Sequence, residues 1–392
     1  MTSSAQPANS PPAAPAPPPS RLPTLTGMRF IAAALVFLFH ATVQQLFAEP
    51  GAQKTFSAVF TQGGWAGVGF FFVLSGFVLA WSYRPGQPAR RFWRRRLVKI
   101  YPNHLVTMVV AFVLLTLVSK VAVDHWHALY NLLLVQSWFP QLEIRGSLNG
   151  VTWSLSCELL FYLAFPLLMR PLSRIRPERL WAWAAGVAVA IFLVPVASSL
   201  LPRQPVLPMV EIPAYDFWII YQFPPVRMLD FVFGIILARI VMTGRRLPLG
   251  LGGAAVLAVA AYAVAPLFPT TYTLTAVMVV PLGLLVAAGA AADVAGRRTG
   301  LSGRLWIRLG EISFAFYLWQ QMVLTYGHLW LGPGKSWSTP VAAGVLVLLF
   351  GVVLALSWAL FTLVEQPLMR RFASPRRRPA PPAVPADLPA RN

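Results

Sequence analysis

Trp65-Ala66-Gly67-Val68-Gly69-Phe70-Phe71-Phe72-Val73-Leu74-Ser75-Gly76-Phe77-Val78-Leu79-Ala80-Trp81-Ser82-Tyr83 runs without an Asp, Glu, Lys, Arg or His. A helix needs about 20 mostly apolar residues to cross the hydrocarbon core of a bilayer, and this stretch has that length. The chain then turns basic: Arg84, Arg90, Arg91, Arg94, Arg95, Arg96 and Lys99 follow with no acid among them. An apolar span abutting a cationic loop is the pattern of a transmembrane helix whose loop stays in the cytoplasm.

Outward from this stretch the alternation repeats. Further apolar spans occupy 28–47, 100–119, 150–169, 180–201, 226–242, 249–267, 272–292, 309–327 and 340–363. Only 11% of the residues are charged, against about 25% in a soluble domain. With the N-terminus inside, Arg170, Arg174, Arg176, Arg179, Arg239, Arg245, Arg246, Arg297, Arg298, Arg304 and Arg308 all fall inside with the 84–99 cluster. Lys54, Lys120, Arg145, Arg203, Arg227 and Lys335 are left outside. One helix more or fewer would invert half of the loops. The fold class is therefore all-α, a polytopic transmembrane bundle of about ten helices with both termini cytoplasmic, multi-pass in the plasma membrane. The formal net charge of +20 sits in these loop clusters, which excludes nucleic acid as the expected partner.

Residues 1–21 are Pro/Ala-rich and 371–392 are basic and Pro-rich, so both ends read as disordered tails around one membrane domain at 22–370. The first span is expected to be retained and not cleaved as a signal, because Arg29 and His40 would be odd in a disposable segment. The stretch 128–138 is apolar but too short to cross, and is placed at the interface. No internal repeat is visible, which argues against transporter folds built from duplicated halves. Cys157 is the single cysteine, so no intrachain disulfide forms.

Ionisable groups inside a span are functional candidates by default. His40 lies well inside the first span and Arg29 sits eleven residues before it. Eleven residues make three turns plus about 20°, so the two share a helix face about 16 Å apart. Ala32 and Ala33 lie between them and leave room for a slender ligand. A cation at the cytoplasmic rim and an imidazole beyond the midplane suit a phosphate-bearing donor whose thin arm runs inward to a base. Glu158, in Trp153-Ser154-Leu155-Ser156-Cys157-Glu158, is expected at a depth similar to His40 on an oppositely directed helix. It would then orient the imidazole or serve as a polar clasp between helices. Ser154 and Tyr162 flank it at i−4 and i+4. Gly69, Val73 and Gly76 form a small-residue stripe for close helix packing, and Ser75 is a candidate ligand contact. The run Arg94-Arg95-Arg96-Leu97-Val98-Lys99 makes a cationic mouth suited to phosphates or to anionic lipid headgroups. Arg227 and Asp230 are spaced to pair at i, i+3. His125 and His127 lack a third ligand, so no metal is expected.

Taken in order, these segments resemble the membrane acyltransferase 3 family over roughly residues 22–370. They are Arg29-x10-His40, Gly69-Phe70-Phe71-Phe72 with Ser75-Gly76, the basic run ending in Ile100-Tyr101-Pro102, and Trp153-Ser154-Leu155-Ser156-Cys157-Glu158 with Phe161-Tyr162. Ser313 with Tyr317-Leu318-Trp319 and Val364-Glu365-Gln366-Pro367 complete the set. The resemblance implies ten helices, cytoplasmic acyl-CoA as donor substrate, no permanently bound cofactor, and acylation of a hydroxyl on a carbohydrate or macrolide-type acceptor. It maps the catalytic histidine onto His40 and the helix-1 arginine onto Arg29. The arginine pair before the third helix maps onto Arg96 and Lys99, where lysine keeps the charge but loses bidentate phosphate geometry. A histidine frequent after Tyr-Leu-Trp in the family is Gln320 here.

The expected mechanism has Arg29, Arg95, Arg96 and Lys99, with Ser75 nearby, holding acyl-CoA. His40 acts as base or transient acyl carrier and Glu158 orients it or shapes the acceptor pocket. The loop 202–225 is the expected acceptor platform. The rival is a transporter of a polar lipid or metabolite that uses the same buried groups as a pathway.

Overall fold

A computed structural model describes residues 21–373 apart from Met209. The expected disordered tails lie outside the described residues, save Arg21 and the last turn of helix at 371–373. Among the described residues, helices of 14 or more residues fall at the positions of the ten expected spans. They are α1 (Pro23–Val43), α2 (Pro50–Trp81), α3 (Ala89–Val113), α4 (Trp153–Ser173), α5 (Leu180–Ser198), α6 (Pro224–Met242), α7 (Leu251–Val264), α8 (Ala276–Val294), α9 (Arg304–Leu331) and α10 (Thr339–Leu360). Seven of them, α1–α5, α8 and α10, are long and apolar enough to cross a membrane by length and composition. The other three fall short for visible reasons. α6 carries Arg227, Asp230 and Arg239, α7 is short, and α9 carries Gln320, Gln321 and His328. Each still packs within the bundle, α6 on α2, α7 on α8 and α9 on α1.

Prolines in the first turn start α1, α2, α6 and α10, where a missing N–H costs no helix bond. The N-terminus of α1 is also capped across the bundle. Thr24 N donates to the Asp293 carboxylate at 3.0 and 3.2 Å, and its hydroxyl at 2.6 Å. A carboxylate is favoured there by the helix dipole.

α2 is the central helix, touching α1, α4, α6 and α8. Its crossing with α6 is backbone on backbone: a Cβ at Gly76 would stand 1.9 Å from the Phe231 carbonyl oxygen, and one at Gly234 1.9 Å from that of Val73. Aromatic edges fill the flanks, with Phe161 against Phe72 at 5.2 Å and Phe231 at 4.8 Å. The small-residue stripe thus works at Gly76, whereas Gly69 has only ordinary contacts.

α1 and α9 run parallel, as two odd-numbered helices of an alternating series must. Gly310 abuts Thr26, Gln320 meets His40, and Thr325 meets Gln44. The start of α1 and the end of α10 share one end of the bundle, where Lys99 pairs with Glu365 and shares a cavity with Arg29.

The connection from α3 to α4 differs from expectation. After Val118 the chain folds back beside the middle of α3: His104 Nε2 lies 2.9 Å from the Asn131 carbonyl oxygen, and Tyr101 donates to that of Leu133 at 3.5 Å. Residue 104 is about 21 Å along the helix from residue 118. The segment between 125 and 152 is therefore re-entrant, not interfacial. Its polar side chains make this possible, since irregular backbone at membrane depth must be satisfied by protein. Asn131 donates to Ser147 O (2.9 Å), Gln136 to Thr152 O (3.0 Å) and Asn149 to Leu318 O (2.9 Å). Arg145, expected in an outer loop, is 1% exposed and donates to Gln222. The loop 202–225, which carries a small hairpin of Val206–Leu207 with Ile212–Pro213, meets this segment through Gln222, through Phe217 under the Arg145 guanidinium, and through the Trp218 indole, which donates to Ser137 O at 2.9 Å.

Candidate active site

A cavity of about 160 Å³ opens between α1, α2, α3, α4 and α9. Arg29, Ser75, Arg96, Lys99 and Glu158 line it, with Ser154, Tyr162, Ser313 and Tyr317 among the other polar contributors. Phe71, Phe72, Ile100 and Leu155 supply apolar wall. Five of the seven residues singled out in the sequence thus meet around one space. Arg95 is half-buried beside Arg96 but is not among the lining residues.

The charges are distributed unevenly. Arg29 has neither a hydrogen bond nor an ion pair among the described residues. Arg96 rests its guanidinium over Phe92 and Tyr162, 5.6 and 5.8 Å from the ring centroids, and its buried Nε has no partner. Lys99 pairs with Glu365. Glu158 accepts from Tyr162 at 3.0 Å, the i+4 bond its spacing allows. Ser154 instead meets the Tyr317 hydroxyl at 2.9 Å, and Tyr317 lies 3.0 Å from Val151 O.

His40 lies beyond this cavity on the same helix as Arg29. A strip on α9 links the two: Ser313 and Tyr317 line the cavity, and Gln320, one turn further on, meets the imidazole. His40 Nδ1 is 3.0 Å from the Val36 carbonyl oxygen. A carbonyl only accepts, so this contact is a hydrogen bond in the tautomer with the ring proton on Nδ1, which leaves Nε2 its lone pair. Gln320 Nε2 stands 2.9 Å from the same Nδ1, while its buried Oε1 has no partner. With the proton on Nδ1, an amide turned to present its oxygen would share that N–H with the Val36 carbonyl. Nε2 has no hydrogen-bond partner among the described residues, and the residue is half-buried, so this nitrogen is the available one.

The expected Glu158–His40 pair does not form: Glu158 bonds Tyr162 and faces the cations, and His40 bonds Val36 and Gln320. An α4 that began at the outer surface would bring the two side chains to one depth. The re-entrant segment instead starts it beside Tyr317, midway along α9, which carries Glu158 inward to the level of Arg29. The passage expected along Ala32 and Ala33 is also filled. Gly67 packs onto the Ala32 carbonyl, and Ala33 is buried in the cluster with Phe37 and Phe316. Gln320, Tyr317 and Glu365 were legible as motif residues, but their partners were not. Arg227 and Asp230 do pair, at 2.7 Å and fully inside the bundle. Among the described residues no group of three or more His, Cys, Asp or Glu could hold a metal ion.

Comparison with known proteins agrees with this architecture. A family model described as an acyltransferase domain matches residues 22–362. The chain is 43% identical over 371 residues to acyltransferase MdmB of Streptomyces mycarofaciens, covering 92% of this chain and 94% of that one. It is 28% identical over 350 residues to the exopolysaccharide production protein ExoZ of Rhizobium meliloti, covering 85% and 95%. A match to the O-acetyltransferase OatA of Staphylococcus aureus, also 28% identical, spans 180 residues, 41% of this chain and 27% of that protein. No solved structure matches the chain significantly. With its helical bundle, its ordered motifs and a family match over most of its length, the chain belongs to the acyltransferase 3 family of membrane acyltransferases.

Proposed function

We propose that the protein transfers a short acyl group, acetyl or slightly longer, from acyl-CoA to a hydroxyl of a carbohydrate or a macrolide-type natural product at the plasma membrane. The carrying observation is the line from Arg29 to His40. An unpartnered guanidinium in a cationic cavity lies on the same helix as an imidazole with a free Nε2, and one strip of α9 serves both. Family membership and the name of acyltransferase MdmB support acyl transfer, the name of O-acetyltransferase OatA supports an oxygen acceptor, and that of the exopolysaccharide production protein ExoZ supports a carbohydrate one.

In this reading the donor phosphates sit against Arg29 and Arg96, whose planar forks match phosphate oxygens, and the thioester arm runs toward His40. His40 Nε2 takes the acceptor hydroxyl proton as the oxygen attacks the thioester carbonyl. The carbon–oxygen bond forms, the carbon–sulfur bond breaks, and the proton passes to the leaving thiolate, giving ester and free CoA thiol. Nδ1–H, held by Val36 O, keeps the ring oriented throughout.

The donor half is tested by direct CoA binding and acetyl-CoA kinetics on purified protein. Arg29→Ala is expected to raise KM for acetyl-CoA about tenfold or more while sparing part of kcat at saturation, because the phosphate contact is made in ground and transition states alike. Wild-type protein that binds no CoA and releases no thiol would leave a transporter as the better account.

A further inference from the structure

One of the cations on the cavity rim already has its charge engaged. Lys99 Nζ is ion-paired with one oxygen of Glu365, and Asn103, one turn along α3, donates to the other at 2.5 Å. Glu365 is 2% exposed. It reaches this position because α10 ends in a π-type turn, Phe361–Glu365, which re-aims the side chain relative to a continuous α-helix. Among the described residues neither Arg29 nor Arg96 has a carboxylate oxygen in contact with it, although Glu158 acts on both and Glu365 on Arg29 from further away.

We propose that Lys99 is a positioning residue and not a phosphate ligand. The Lys99–Glu365–Asn103 cluster clamps the end of α10 onto α3, and the donor phosphates fall to Arg29 and Arg96. The inference rests on the donor reading above. Its physical basis is charge at contact range. Glu158 faces the cavity and acts on Arg29 and Arg96 from a distance, but a phosphate placed on Lys99 would touch the carboxylate already bound to it, and like charges at such range oppose each other most strongly where water is scarce. A lysine also suits this duty. It is a compact point charge for one carboxylate oxygen and lacks the fork that grips phosphate in two places.

The pair behaves asymmetrically on substitution. Removing one partner leaves the other buried and uncompensated, which is strongly destabilising, while replacing both by apolar residues of similar size is often neutral. Lys99→Met, Glu365→Met and the double variant Lys99→Met/Glu365→Met are compared for monodisperse yield, melting temperature and affinity for CoA. Each single variant is expected to lose melting temperature. The double variant is expected to recover it and to bind CoA within about threefold of wild type. Lys99→Gln, which keeps a donor for Glu365, covers the case in which the double variant does not assemble, and it too should bind within about threefold. A well-assembled double variant or Lys99→Gln protein whose CoA affinity has dropped tenfold or more would overturn the proposal and return Lys99 to the phosphates. Single variants as stable as wild type would overturn the clamp. Absence of CoA binding by the wild type would instead remove the donor reading, and the melting-temperature comparison would still report on the clamp by itself.

Discussion

At the scale of single residues, His40 gains its chemistry from what holds it. An imidazole in a helix ordinarily has two equivalent choices of proton. The Val36 carbonyl at 3.0 Å favours the proton on Nδ1, which leaves Nε2 as the acceptor. Gln320 adds a second hold on the same side of the ring. Gln320→Leu is expected to lower kcat about tenfold with CoA affinity unchanged, since a loosened base is misplaced by a fraction of an ångström or more while the cations stay where they are. Equal losses in kcat and CoA affinity would instead show that Gln320 supports the donor cavity. The candidate base was legible in the sequence because a histidine inside an apolar span stands out. Its tautomer was not, because that depends on a carbonyl one turn earlier and an amide 280 residues later.

At the scale of elements, two junctions decide where the site sits. The first is the α2–α6 crossing, where Gly76 and Gly234 bring two backbones into contact. Gly76→Leu would drive a side chain into the Phe231 carbonyl and force α6 away from α2. The expected outcome is a melting temperature lower by several degrees or loss of monodisperse protein. Wild-type stability would show that the crossing can open without penalty. The second junction is the re-entrant segment, which sets the depth of α4 and hence of Glu158. Helix positions were legible from hydropathy alone because each span satisfies its own backbone. The re-entrant path was not, since its bonds run from Asn131, Gln136 and Asn149 to residues reached only in the folded bundle. One depth assumption, that residue 150 lies at the surface, was enough to pair Glu158 with the wrong partner. Asn149→Leu removes the tie to Leu318 and is expected to reduce stability more than CoA affinity among the molecules that fold.

At the scale of the whole molecule, an even number of spanning helices returns the chain to the end it left. The basic loops share that end with Arg29, Arg96 and Lys99, and the charge asymmetry assigns it to the cytoplasm. Reporter fusions at Arg91, Arg176 and Arg298 should read cytoplasm, and fusions at Lys54, Arg203 and Lys335 the exterior; a cytoplasmic Arg203 would contradict ten spans. On the proposed donor reading the phosphates would lie at that end, with the imidazole about 16 Å further along α1. Donor capture and proton removal would then be separable on one helix. The most direct test is single-turnover transfer from labelled acetyl-CoA to a hydroxyl acceptor by purified protein, with CoA binding and melting temperature measured alongside. Wild type is expected to give acylated acceptor and free thiol in equal amounts. His40→Ala, folded and binding CoA normally, is expected to be slower by at least about 10²-fold, and His40→Gln nearly as slow because an amide cannot take the proton. Transfer by His40→Ala at close to the wild-type rate would contradict the account.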